Sequence, residues 1–237
     1  MRRTTLLVAA IGIVASGFNV RAGAGADKTD TPFNGKDLSG WKLKGDAKRS
    51  QWTVGFAQMD PKNLGQLILV DSPATSREPA QLVNLKNGGV DIYTEAKWGD
   101  CRIELELMVP KGSNSGIYVM GEYEVQVLDS YGRDKVTPGD LGGLYAAAAP
   151  KVNAARKPGE WQKFVIDFQA PRFEGGKKTA NARFLKVVLN DQVIHENVEM
   201  KGPTPSCLTG KESPTGPIML QGDHGPVAYR NIRVTAK

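Results

Sequence analysis

The chain is poor in the residues on which several kinds of site depend. Two cysteines in 237 residues exclude a disulfide-dense scaffold and a four-cysteine zinc site. Two histidines exclude a three-histidine metal centre. No apolar run reaches the roughly 18 residues needed to span a bilayer. No long segment carries the i, i+3, i+4 spacing of an amphipathic helix. Phosphate-cradling glycine motifs and the H-E-x-x-H metal pair are missing. Gly112-Ser-Asn-Ser-Gly116 places Asn where a nucleophile elbow needs Ser. Lysines and arginines are scattered without an aromatic-basic cluster, which gives a nucleic-acid partner little support despite a formal charge of +6.

What remains is the composition of one folded, turn-rich domain: 40% hydrophobic and 24% charged, with 27 glycines and 14 prolines. The first residues read as an address. Arg2 and Arg3 form a basic region, Leu6 to Ala15 an apolar one, and Ala22-Gly23-Ala24 a small-residue cleavage site. Residues 1–24 are therefore expected to be a secretory signal peptide, followed by a tail over 25–32 and one domain over 33–237. An N-terminal membrane anchor is the alternative. The protein is expected to be secreted or periplasmic and free of the membrane after cleavage. The removed piece carries Arg2, Arg3 and Arg21 and no acid, so the mature chain keeps a charge of only +3. Export places Cys101 and Cys207 in an oxidising compartment. They could pair, but Cys101 heads an apolar-alternating run, a setting equally suited to a buried free thiol.

Period-two patterns recur along the body. Ile103, Leu105, Leu107 and Val109 share one face of a strand; Arg102, Glu104 and Glu106 share the other. Tyr123, Val125 and Val127 oppose Glu122, Glu124 and Gln126 in the same way. Phe164, Ile166 and Phe168 mark a third strand. Asn190-Asp191 is a two-residue turn joining Phe184–Leu189 to Gln192–His195. Further strands are expected at 66–70, 90–94, 115–120, 218–221 and 227–234. Leu141–Ala149 reads as a short helical turn stopped by Pro150. The sum is an all-β chain, an antiparallel sandwich or barrel.

Three clusters combine polar side chains with glycine. In the first, Asn114, Gly116, Tyr118 and Met120 share a strand face, and Gly116 leaves room for a ligand. The second holds Glu124 and Gln126, a carboxylate able to act as base beside an amide able to bind hydroxyls. Most strand glutamates lie on solvated outer faces, and pattern alone favours that bland reading here. The third, Leu220-Gln-Gly-Asp-His-Gly-Pro226, puts His224 in a glycine-flanked turn, where an imidazole serves as acid, base or metal ligand, or merely as a surface residue. Asp223 could join a metal site, though two ligands are few. His195, in a hairpin strand without polar companions, reads as structural.

Several short motifs occur in one order. They are Phe33-Asn-Gly-Lys-Asp-Leu-Ser-Gly-Trp41, Asn114-Ser-Gly-Ile-Tyr118, Tyr123-Glu-Val-Gln-Val-Leu-Asp129 and Gly143-Leu-Tyr145. Pro158-Gly-Glu-Trp161, Gly216-Pro-Ile-Met-Leu-Gln221 and Tyr229-Arg-Asn-Ile-Arg233 follow. From Phe33 to Val234 the chain resembles the exported 3-keto-disaccharide hydrolases, also described as 3-keto-glucoside-1,2-lyases and 3-keto-2-hydroxy-glucal hydratases. The resemblance implies a concanavalin A-like jelly-roll β-sandwich with sugar bound on its concave face. It departs from the family at Glu122, where relatives often carry Arg, and at Met120, where many carry Arg or Gln. Both positions are expected near the site, with consequences for substrate preference.

The implied chemistry is elimination. A ketone at C3 acidifies the C2 proton, a base removes it, and the enolate expels the C1 substituent; water then adds to the enone. Glu124 and His224 are the candidate catalytic pair, as base and acid in either order. Asn114, Tyr118, Gln126, Tyr145, Gln221 and Arg230 would bind hydroxyls or the ketone. A divalent metal near His224 would suit enolate stabilisation, but the sequence does not establish one. A non-catalytic carbohydrate-binding module and an ordinary glycosidase are the competing classes; the second requires two facing carboxylates.

Overall fold

The computed structural model describes Met1 and residues 28–237 apart from position 74. In chain order the strands are β1 (Thr29–Asp30), β2 (Trp41–Lys44), β3 (Trp52–Asp60), β4 (Asn63–Val70), β5 (Gln81–Asn84) and β6 (Asp91–Thr94). They continue with β7 (Cys101–Met108), β8 (Asn114–Val119), β9 (Tyr123–Leu128), β10 (Trp161–Gln169), β11 (Arg172–Glu174) and β12 (Lys177–Ala180). The last four are β13 (Ala182–Leu189), β14 (Gln192–Met200), β15 (Met219–Leu220) and β16 (Val227–Ala236).

Two antiparallel sheets form a β-sandwich of the expected class. The larger runs β14-β13-β10-β7-β16-β5-β3-β4, with β1 also paired to β16; the smaller runs β2-β6-β15-β8-β9. β11 and β12 make a separate hairpin. Neighbours far apart in sequence, such as β7 beside β16 and β15 between β6 and β8, give the crossovers of a jelly roll.

Alternation dictates what lies between the sheets. Cys101, Ile103, Leu105 and Leu107 of β7 are buried, while Arg102, Glu104 and Glu106 stay partly exposed on the outer face. There Arg102 pairs with Asp167 at 3.1 Å across the β7–β10 register. Phe164, Phe168, Phe184 and Tyr123 fill the interior, with Phe168 and Phe184 meeting edge-on at 5.1 Å. Removing one such ring typically costs ~3–5 kcal/mol. Asn190 and Asp191 both adopt positive φ, 50° and 66°, as a type I′ turn requires, and join β13 to β14 as the sequence predicts.

Three expectations change. Leu141–Ala149 is not helical: Leu144 forms bridges with Val125 and Ala148, so this segment covers the open edge of β9. Gly142 N–H donates to Gln126 O, and Gln126 N–H donates to Gly143 O, both at 2.8 Å. The pairing energy of a free strand edge outweighs the local helix preference of an alanine run. The expected tail over 25–32 ends inside the sheet, because Thr29 and Asp30 pair with Thr235 and Val234. β2, β3 and β5, which weak alternation left unread, form through pairing with neighbours. Of the two readings for the cysteines, the buried free thiol is the one found: Cys101 and Cys207 are both free, and burial pushes the Cys101 thiol up to about 12. The expected signal peptide lies outside the described residues.

Candidate active site

The outer face of the smaller sheet carries polar side chains on β8 and β9. β8 and β9 pair so that Tyr118 opposes Glu124 and Gly116 opposes Gln126. Their inward residues, Ile117, Val119, Tyr123, Val125 and Val127, belong to the core. Asn114, Tyr118, Glu124 and Gln126 therefore turn together to the other side, and the sheet register, not chain proximity, brings them together. They line one pocket with Tyr145, Gln221 and His224, closed along one side by Pro205 and Ser206.

This face is not solvated, contrary to the bland expectation for strand glutamates. Glu124 is only 3% exposed and Gln126 4%. The 140–145 segment and residues 204–206 cover it. Glu124 N–H donates to Thr204 Oγ1 at 3.1 Å, and Tyr145 N–H donates to Glu124 O at 3.1 Å. Gly116 makes the space for the carboxylate: a Cβ there would overlap Glu124 Oε1 and crowd the Tyr118 ring. Gln126 Nε2 donates to Asn114 Oδ1 at 2.7 Å, which leaves the two amides as a linked pair beside the carboxylate.

Burial pushes the Glu124 carboxyl up to about 7. Hydrogen bonding from Tyr118 and the charge of His224 pull the other way, while Asp91 and Asp223 reinforce the rise. A carboxyl poised there is suited to take a proton near neutrality and return it. Burial also raises the Tyr118 hydroxyl well above its ordinary range, so it remains a hydrogen-bond donor. Its hydroxyl also reaches Pro205 O at 3.3 Å.

His224 sits at the exposed rim. Its Nδ1 meets Asp223 Oδ1 at 2.5 Å, so Nε2 is the nitrogen left to face a ligand. The turn that carries it is held from the larger sheet. Asn84 Nδ2 donates to Gly222 O at 3.0 Å and to Gly225 O at 2.8 Å. Ser113 Oγ donates to Pro226 O at 2.7 Å. Gln221 is tied to β8 through its N–H to Gly116 O at 2.9 Å. Asp91, raised above the ordinary carboxylate range by burial, accepts from Gly222 N–H at 3.0 Å and from Lys44 Nζ at 3.2 Å. Lys44 also donates to Ser206 O at 2.6 Å and so links two sides of the pocket.

Seven of the eight sequence candidates line this pocket; Arg230 does not. On β16, Tyr229 points inward to Ser115 Oγ at 2.9 Å, so Arg230 must point outward from the larger sheet. There its guanidinium donates to Glu106 at 2.6 Å and Glu78 at 2.9 Å and lies 3.8 Å from the Trp161 ring centre. Met120 and Glu122 are also displaced from the pocket. Met120 takes a φ of 56°, leaves the strand face and joins the core. The Glu122 carboxylate accepts from Thr209 Oγ1 at 2.6 Å and Gly210 N–H at 2.9 Å. His195 is structural: it is buried, and Nε2 meets Gly142 O at 2.8 Å. Thr204, Pro205, Ser206, Asn84, Lys44 and Asp91 escape sequence reasoning. The turn-forming Gly202-Pro-Thr-Pro-Ser206 run is the only local signal for any of them.

A divalent metal does not fit these donors. Among the described residues no group of three His, Cys, Asp or Glu side chains converges. Asp223 and His224 are turned toward each other.

Residues 28–235 match the model of 3-keto-alpha-glucoside-1,2-lyase-like domains. The chain belongs to that family. The match begins five residues before Phe33, in keeping with β1 being part of the sheet. Family membership assigns the chain a carbohydrate-acting domain. A Parabacteroides distasonis protein described as a "putative glycosyl hydrolase" is 29% identical, with TM-score 0.65 over 88% of this chain and 84% of that one. A second protein of that organism, with the same description, is 16% identical, with TM-score 0.59 over 88% and 94% of the two chains, and shares the fold. No curated protein matches the chain.

Proposed function

We propose that this domain cleaves 3-keto-glycosides by removing the C2 proton and eliminating the C1 substituent, with hydration of the enone completing a net hydrolysis. The observation that carries this reading is a single buried carboxyl, Glu124, held near 7 in a pocket whose other lining side chains are amides, tyrosines, one histidine, Pro205 and Ser206. An ordinary glycosidase uses two carboxylates astride the glycosidic bond; Glu124 is the one carboxylate among the described lining residues. A carboxyl kept at the cost of desolvation, with its pKa moved toward neutrality, is matched to proton transfer.

In the proposed cycle Glu124 takes the C2 proton. The C2–H electrons form the C1=C2 bond as the C1–O bond breaks. His224, presented at the rim, protonates the departing oxygen. Tyr118 and the Asn114–Gln126 pair supply donors for the C3 oxygen and ring hydroxyls, where negative charge develops. Gln221 holds the sugar from the side of the Asp223–His224 turn. The N-terminal pattern of residues 1–24 supports export of this activity; N-terminal sequencing of the mature protein, expected to start near Gly25, tests that step.

The decisive experiment offers 3-keto-trehalose and trehalose side by side. Cleavage of the oxidised sugar alone is expected. Cleavage of both selects a glycosidase, and binding without turnover selects a lectin-like module. Glu124→Gln and His224→Ala should each abolish most turnover, and near-wild-type rates in both would overturn the assignment of roles.

A further inference from the structure

Two segments far apart in the chain contribute walls to the Glu124 pocket: Pro205 and Ser206 form one, and the turn carrying Gln221 and His224 forms another. One chain of hydrogen bonds runs between them. Gly222 N–H donates to Asp91 Oδ1 at 3.0 Å, Lys44 Nζ donates to Asp91 Oδ2 at 3.2 Å, and the same Nζ donates to Ser206 O at 2.6 Å. Lys44 and Asp91 stand opposite each other in the β2–β6 register. Neither is among the residues that line the pocket.

Both ends of this chain sit under constraint. Ser206 takes a φ of 60°, a left-handed conformation that a non-glycine residue keeps only where its surroundings fix it. Its neighbour Pro205 accepts from the Tyr118 hydroxyl at 3.3 Å, so the placement of this wall is felt at a side chain of the pocket. At the other end, a Cβ on Gly222 would overlap Val90 O and Trp52 Nε1, so the turn is seated tightly against the backbone behind it. In the middle, the Asp91 side chain is only 8% exposed and that of Lys44 31%. A lysine on an edge strand ordinarily projects into water and discourages further pairing. This one is committed instead to a buried carboxylate and a backbone carbonyl.

We propose that Lys44 and Asp91 are positioning residues, acting as one strut that sets the Pro205–Ser206 wall, and with it Tyr118, against the turn carrying Gln221 and His224. This rests on the reading that Glu124 and His224 exchange protons with a sugar in the pocket. The strut raises the rate by aligning the groups around the reacting atoms, without touching those atoms.

Lys44→Met keeps the aliphatic stem and removes the ammonium. Asp91→Asn keeps an acceptor for Gly222 N–H but turns an amide donor toward Lys44. Both cut the same link, and either serves if the other fails to fold. The measurement is kcat and KM on 3-keto-trehalose, per folded enzyme and well below each Tm. Each variant should lose about tenfold in kcat, with KM held within about twofold. Lys44→Arg, which keeps the charge and the reach, should recover most of the loss. The double variant should be no worse than the poorer single one, because residues that act as a unit are not additive. Wild-type kcat in the folded single variants, or losses that multiply in the double variant, would overturn the strut. If the wild type leaves 3-keto-trehalose intact, it is the proposed reaction that fails, and the strut is decided by amide hydrogen exchange. Faster exchange in Lys44→Met at both Gly222 and Thr204, with Leu105 and Leu107 of β7 unchanged, supports it; any other pattern sinks it.

Discussion

Replacing Glu124 by glutamine should stabilise the protein at alkaline pH while removing its activity. The folded state holds the Glu124 carboxyl at about 7, against 4.5 for a solvated glutamate. The unfolded chain thus ionises first as pH rises. Below 4.5 both states are protonated and burial of the neutral acid carries no ionisation penalty. Between 4.5 and 7 the unfolded state loses its proton while the folded state keeps it, and folding stability falls. Above 7 both are ionised and the loss is complete, on the order of 3 kcal/mol. Glutamine has nearly the same shape, cannot ionise and can still accept from Tyr118, so it escapes this loss. For a domain of this size 1 kcal/mol moves Tm by roughly 2–4 °C. Glu124→Gln should therefore exceed wild type by about 6–12 °C at pH 8 and nearly coincide with it at pH 4. Thermal unfolding followed by circular dichroism at the two pH values measures this directly. Turnover should drop by about 10²–10⁴-fold, the usual contribution of a positioned base. Wild-type kcat/KM should rise on its acid limb with an apparent pKa near 7. A Tm difference independent of pH would refute the argument that burial, and not a specific partner, sets the state of this carboxyl.

Other consequences are simpler. Gly116→Ala places a methyl on Glu124 Oε1; the displaced carboxylate should cost about 10²-fold in kcat/KM with only a modest change in Tm. Asn84→Ala strips the Gly222 and Gly225 carbonyls of their shared donor, which should cost about 1–3 kcal/mol in denaturant unfolding and lower kcat by loosening the His224 turn. Arg230→Met breaks contacts with Glu106, Glu78 and Trp161 on the other face. It should lower stability by about 1–3 kcal/mol and leave kcat/KM unchanged, as steady-state kinetics will check. Thiol titration of the native protein should find no disulfide and at most one reactive thiol, Cys207, with Cys101 reacting only after unfolding.

Much of the fold is legible in the sequence because alternation is a local property. The faces of β7, β9 and β10 follow directly from Ile103-x-Leu105-x-Leu107, Tyr123-x-Val125-x-Val127 and Phe164-x-Ile166-x-Phe168. The turn at Asn190-Asp191 follows from residues that tolerate positive φ. Strands whose partners, rather than their own pattern, define them are harder to read. β5 is buried on both faces, so Gln81-Leu-Val-Asn84 shows no clean period.

For the site, the sequence by itself determined the chemistry available: one glutamate, three amides, tyrosines and a histidine, each on a predictable face or turn. Only the tertiary structure decided which of these meet and in what medium. The same alternation that turns Glu124 away from the core would leave it in water; the 140–145 segment and Thr204–Ser206, from distant parts of the chain, cover it and raise its pKa. Likewise Arg230 reads as a neighbour of Tyr229, but successive side chains leave a strand on opposite faces, and its partners lie across the larger sheet. Period and residue type are encoded locally. Desolvation and convergence arise from segments far apart in sequence, and those are set by packing.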